Sequence, residues 1–131
     1  MLKKIVAVTF LTMLPVGAFA DVAGDAEAGE KAFRKCKACH DVGAEAKNKV
    51  GPVLNGIVGR AVGAVPDFKY SSVLSDMGAS GKIWTPEELT AFLEKPRDYA
   101  KGTKMTFAGL RKEDDRVNII AYLATFEKGG S

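Results

Sequence analysis

The only two cysteines and the only histidine of the chain fall within five consecutive positions, Cys36-Lys37-Ala38-Cys39-His40. A disulfide between thiols this close in sequence closes too short a loop to staple distant segments, so it would supply little of the cross-linking that holds small exported domains together. Other uses of the pair make different demands. A thioredoxin-like redox pair belongs in a βαβ setting. A zinc site wants four ligands, and here three soft ligands stand side by side. The remainder of the chain decides among these readings.

Lys3 and Lys4 precede an apolar run from Ile5 to Leu14, broken only by Thr9 and Thr12, and Ala18-Phe19-Ala20 forms a small-x-small site. That is the layout of a secretory signal peptide, residues 1–20, cleaved before Asp21. A retained membrane anchor is the alternative, but the run is short against the ~20 apolar residues a spanning helix needs. The mature protein, residues 21–131, is expected to be one soluble exported domain with no stable membrane insertion. Loss of Lys3 and Lys4 lowers the formal charge from +3 to about +1, which gives no reason to expect a nucleic-acid partner.

Helix and loop alternate through this domain, and no stretch shows the period-two alternation of a strand. Asp25 caps a first helix running to about Lys37, with Ala26, Gly29, Ala32, Phe33 and Cys36 at helical spacing. From Asp41 to Val65 the pattern dissolves into a long loop carrying Gly43, Gly51-Pro52, Gly56, Gly59 and Gly63. A short helix from Ser71 to Met77 stops at Gly78. The next begins with Thr85 as cap, Pro86 in the first turn and Glu88 completing a capping box, and Pro96 ends it. The last starts at Glu113-Asp114-Asp115, whose charges suit the positive end of a helix dipole, and carries an Ile119, Tyr122, Leu123, Phe126 stripe. The fold class is therefore all-α, with three main helices, short helices and long loops.

Three helices and two Gly/Pro-bearing loops make a thin core for a domain that should bury roughly 65% of its unfolded surface. A flat apolar prosthetic group at the centre would complete it. C-x-x-C-H is the pattern of c-type haem attachment. The two thiols add across the haem vinyl groups, and the histidine that follows is aimed at the iron. No βαβ unit supports the thioredoxin reading. Since His40 is the only histidine, a second axial ligand must be Met77, Met105 or a lysine, or the position stays open. Met77 closes a short helix and reads as packing. Met105 lies in the polar loop Lys101-Gly102-Thr103-Lys104-Met105, a poor place for core filler and a good one for bringing a thioether to iron. Histidine and methionine together fill both faces of the iron, which favours electron transfer over ligand activation.

From Gly24 to Phe126 the chain resembles class I c-type cytochromes, the cytochrome c and bacterial cytochrome c2 group. The resemblance rests on Cys36 to His40, Gly51-Pro52-x-Leu54-x-Gly56, Gly59-Arg60, Phe68-Lys69-Tyr70, Trp84, Lys101 to Met105, Phe107-Ala108-Gly109 and Ala121-Tyr122-Leu123. It implies a small cytochrome c fold wrapped around one haem c held by Cys36 and Cys39, with His40 and Met105 as the iron ligands. It further implies that the Pro52 carbonyl fixes the His40 ring and that Arg60, Tyr70 and Trp84 hydrogen-bond the propionates. Thr103 would donate within the methionine loop and Phe107 would cover the haem edge. Gly29 and Phe33 would pack against Tyr122 and Leu123. Phe92 and Leu74 stand where the family often has tyrosine and asparagine, so part of the polar network beside Met105 is missing.

The function implied is a periplasmic electron carrier and not an enzyme, passing single electrons from a membrane cytochrome bc complex to a reaction centre or a terminal oxidase. Lys35, Lys37, Lys49, Arg97, Lys101, Lys104, Arg111 and Lys112 flank the expected haem edge and would dock redox partners transiently. Asp21, Asp25, Glu27 and Glu30 lie farther away. The carrier is expected to be a monomer.

Overall fold

The computed structural model describes residues 22–126, so the signal peptide expected over residues 1–20 lies outside the described residues. Five helices follow one another: α1 (Ala26–Phe33), α2 (Ser72–Ala79), α3 (Pro86–Glu94), α4 (Pro96–Tyr99) and α5 (Glu113–Leu123). Among the described residues the only β pairing is an isolated antiparallel bridge between Ala61 and Ile83.

Helices α1 and α5 pack against each other and form the frame. Asp25 caps α1 by accepting from the Glu27 and Ala28 amides at 2.9 and 3.1 Å, and its own amide donates to Asn118 Oδ1 of α5 at 2.9 Å. The helices cross at Gly29, where no side chain separates them: a Cβ built there would lie 1.9 Å from the Asn118 carbonyl oxygen. One turn on, Phe33 meets Tyr122 with ring centroids 5.4 Å apart. Helix α1 ends at Phe33, short of the expected Lys37. The Lys35 and Cys36 amides donate three residues back, to Ala32 and Phe33, so tight turns rather than an α-helix carry the chain to Cys39.

Helix α2 runs through Gly78 instead of stopping there, because the absent side chain lets α2 lie against the Val62 carbonyl. Helix α3 starts as expected: Thr85 Oγ1 accepts from the Glu88 amide at 3.1 Å, with Pro86 in the first turn. The reciprocal half of the capping box is missing. The Thr85 amide donates to the Ile83 carbonyl, and the Glu88 carboxylate turns to the Tyr99 hydroxyl and, at 3.3 Å, to Lys82 Nζ. Pro96 does follow the end of α3, and it also opens the single turn α4.

The long loop after His40 is tied down by backbone bonds to distant segments. The Gly51 amide donates to Cys39, Gly56 to Phe126, Gly59 to Trp84 and Val62 to Lys82, all at 2.8–2.9 Å. Such bonds satisfy the polar backbone of a segment that no ladder or helix serves. They also hold the loop and the C-x-x-C-H segment over the interior face of α5.

Candidate functional site

Cys36, Cys39, His40, Pro52, Arg60, Tyr70, Trp84, Thr103, Met105 and Phe107 all line one cavity of about 320 Å³. Apolar side chains from α3 and α5 (Leu89, Leu93, Ile119 and Leu123) close its inner wall. Met77, the rejected alternative to Met105, packs half-buried against the core and does not reach the cavity. Phe92 and Leu74 also line it, so at both positions the cavity meets hydrocarbon.

The His40 ring lies on Gly51: a Cβ there would sit 2.4 Å from Cε1 and 2.8 Å from both ring nitrogens. Nδ1 is 2.7 Å from the Pro52 carbonyl, to which it donates. That tautomer leaves Nε2 with a free lone pair. Burial holds the imidazole below its ordinary protonation range; the Pro52 bond opposes this, while Arg60 and Lys49 nearby add to it. The ring is thus a neutral donor at neutral pH. Across the sequence, Thr103 Oγ1 does not donate within the loop as expected but accepts from the Met105 amide at 3.3 Å, because its side chain folds back on the backbone two residues on, and so fixes the short loop carrying the thioether.

Both cysteines are half-buried, and no disulfide joins them. Burial pushes Cys36 up to about 11, against the opposing effect of Lys35. Redox-active C-x-x-C thiols are shifted the other way, toward thiolate, so this environment argues against a thiol–disulfide exchange site. Among the described residues no three or more His, Cys, Asp and Glu side chains gather where they could hold a metal ion.

Arg60 is the buried charge of the cavity, only 8% exposed. Its Nη1 donates to the Val53 and Asn55 carbonyls at 3.0 and 3.1 Å, while buried Nε finds no partner in the protein. Burial lowers its pKa, with Tyr70 opposing. A guanidinium buried with an orphaned N–H fits an anionic group beside it. Tyr70 accepts from the Val65 amide at 3.0 Å, leaving its hydroxyl proton to give. Two thiols, an imidazole, a thioether, an apolar wall and one buried cation suit a flat apolar group with carboxylates at one edge. The residues present fit a haem.

Sequence reasoning missed two contributors. Gly51 entered only as a turn residue and as part of the Gly51-Pro52 resemblance, although the absence of any side chain immediately before Pro52 is what lets the backbone approach the ring. Ser71, 4% exposed, caps α2 and lines the cavity as well. Of the eight expected docking cations, Lys35 and Lys104 line the cavity mouth. Arg97 donates to the Thr106 carbonyl at 3.2 Å and Lys49 to that of Lys37 at 2.6 Å. All eight are exposed, and among the described residues none forms an ion pair with a carboxylate.

Comparison with known proteins agrees with this geometry. The family model for cytochrome c matches residues 26–127. A cytochrome c2 of Agrobacterium tumefaciens (strain II Chrys) is 50% identical over 100 residues, covering 76% of this chain and 90% of that protein. A cytochrome c-550 of Ancylobacter novellus is 50% identical over 103 residues, covering 79% and 96%. The solved structure of cytochrome c2 from Rhodospirillum centenum superposes with a TM-score of 0.75 at 41% identity, covering 80% of this chain and all of that one. The chain belongs to the cytochrome c family: it is an electron carrier and not an enzyme, and it carries one covalently bound haem c. Among the described residues no helix is long and apolar enough to cross a membrane.

Proposed function

We propose that the chain is a soluble periplasmic carrier, freed of residues 1–20, that takes single electrons from a membrane cytochrome bc complex to a reaction centre or terminal oxidase. The convergence of both thiols, His40 and Met105 on a single apolar cavity is the observation that carries this reading. The relatives named cytochrome c2 and cytochrome c-550 support it.

When bound, the haem supplies a reversible one-electron change at its iron. Cys36 and Cys39 would hold it through thioethers, and His40 and Met105 would be the side chains that ligate its iron. Pro52 keeps the Nδ1 proton of His40, so Nε2 is presented in one tautomer and one orientation. Thr103 restrains the Met105 loop. Arg60, with Tyr70 and Trp84, would compensate the propionates, whose burial would otherwise be costly. Phe107, which lines the cavity, would cover the remaining edge and limit water.

Docking is by the cations around the cavity mouth, on a monomer, to acidic surfaces of larger partners. Such transient redox contacts are small, below ~1,200 Å², and complementary charge accelerates encounter more than it tightens binding.

Replacing Met105 with alanine tests the ligand assignment. The wild type should be low-spin in both oxidation states and refuse carbon monoxide when reduced, whereas Met105→Ala should become high-spin and bind it. An unchanged spectrum would remove Met105 from the iron. Electron transfer to an acidic partner should slow as ionic strength rises, and rates flat across salt would remove the basic docking face.

A further inference from the structure

Three aromatic rings lead out of the cavity wall. Trp84 and Phe92 line the cavity, and Tyr99 lies behind them without lining it. Trp84 and Tyr99 are stacked, 6.0 Å between centroids at an interplanar angle of 29°. Phe92 touches both, at 5.0 Å from Trp84 and 5.6 Å from Tyr99. Such offset contacts bring the π systems together. Tyr99 is half-buried, and its hydroxyl donates to the Glu88 carboxylate. Lys82 pairs with that carboxylate at 3.3 Å and lies 5.2 Å from the centre of the Tyr99 ring.

The carboxylate's position is the informative part. Glu88 stands where a capping box would return it to the Thr85 amide, and it leaves that amide to bond a phenol instead. Its hydrogen bond with Tyr99 holds Glu88 below its usual range, while burial and the same bond raise Tyr99, so the resting pair is phenol and carboxylate. A phenol that has lost an electron is a strong acid, far stronger than any carboxylic acid, so the proton then moves along the existing bond. The Lys82 ammonium over the ring opposes positive charge there and favours the neutral radical.

We infer that Tyr99 is a redox-active residue, to which oxidising equivalents formed on Trp84 pass with transfer of the phenolic proton to Glu88. A one-electron oxidant, or photoionisation, removes an electron from the Trp84 indole. Tyr99 returns one electron to Trp84, its O–H bond breaks, and Glu88 takes the proton, leaving intact indole, a neutral phenoxyl radical and a carboxylic acid. The hole thereby leaves the wall of the cavity for a side chain that solvent reductants can reach, and that protects the cavity's contents from oxidative damage.

Photoionisation of the oxidised holoprotein at the red edge of indole absorption tests this, because Trp84 is the chain's only tryptophan. Decay of the indole radical is followed in time, and a nitroso spin trap with peptide mapping locates the product among Tyr70, Tyr99 and Tyr122. The wild type should show decay independent of protein concentration and adduct on Tyr99. Tyr99→Phe should lengthen the Trp84 radical lifetime about tenfold or more and abolish that adduct. Glu88→Gln, which keeps a polar partner but no proton acceptor, should slow the transfer at least about tenfold, the low end of what a positioned base contributes. An unchanged Trp84 lifetime in Tyr99→Phe, or adduct on Tyr70 or Tyr122, would overturn the proposal. If Tyr99→Phe fails to fold, the half-exposed Glu88→Gln decides it, and wild-type transfer in that variant would overturn the role of the carboxylate.

Discussion

Gly29→Ala probes the joint on which the frame depends. Gly29 is buried inside α1, in helical backbone that alanine adopts freely, so the substitution by itself favours the helix by ~1 kcal/mol. Against this, the new Cβ would stand 1.9 Å from the Asn118 oxygen, 2.5 Å from its carbonyl carbon and 2.8 Å from Tyr122 Cβ. Two of these atoms are backbone, so no rotamer change relieves the contact. The helices must part by about 1.5 Å to restore ordinary separation, in the range where overpacking costs 1–3 kcal/mol. Parting them also strains the Asp25–Asn118 hydrogen bond, worth ~1 kcal/mol, and loosens Phe33 from Tyr122. The balance is a loss of about 2 kcal/mol. In guanidinium chloride, with a slope of about 3 kcal/mol/M, the midpoint of the holoprotein should fall by roughly 0.7 M. Far-ultraviolet circular dichroism measures it, with Glu30→Ala on the exposed face of the same helix as the neutral control. A midpoint equal to or above wild type would refute the argument that backbone approach at Gly29 joins the helices.

Gly51→Ala should push a methyl group into the His40 ring and stretch the 2.7 Å bond to Pro52; a shifted visible spectrum with about 1–2 kcal/mol lower stability is expected, and an unchanged spectrum would mean that the ring is not held by this contact. Arg60→Leu should cost about 3 kcal/mol, the penalty for stranding a buried charge, read by chemical denaturation of the holoprotein; a loss under half of that would show no anion depends on it. Asp67, the only non-glycine residue at positive φ among the described residues (61°), should tolerate glycine, whereas Asp67→Val should lower stability by about 1–2 kcal/mol in a thermal melt.

Much of the site was legible because its chemistry is concentrated in a few consecutive residues. The C-x-x-C-H segment and the Lys101–Met105 loop each announce themselves without any knowledge of the fold, and the structure brings both to one cavity. Caps were equally readable: Asp25 and Thr85 act through their own side chains on amides two or three residues away. What failed was anything decided by a partner far along the chain. The capping box at Glu88 looked complete from spacing alone, yet Tyr99 and Lys82 claim the carboxylate. Gly78 looked like a helix stop, yet the closeness of the Val62 carbonyl is why that position is glycine. The end of α1 was placed four residues late because the helical spacing of Cys36 persists through turns that no longer bond as an α-helix.

The distribution of protons explains why this cavity suits an electron carrier. Among the described residues no carboxylate side chain lines it. His40 has its one proton committed to Pro52, Met105 cannot titrate, and Arg60 remains charged at any ordinary pH. Lys35 and Lys104 lie at the mouth, where solvent screens them. A change of one electron inside such a wall therefore meets no side chain of that wall poised to gain or lose a proton near neutrality, so the transfer need not wait on proton movement by the protein. Proton-coupled chemistry requires an acceptor aimed at the oxidised atom, and here that arrangement lies one ring behind the wall, where Glu88 accepts from Tyr99. The fold thus keeps the two kinds of oxidation apart, with Trp84 as the ring they share.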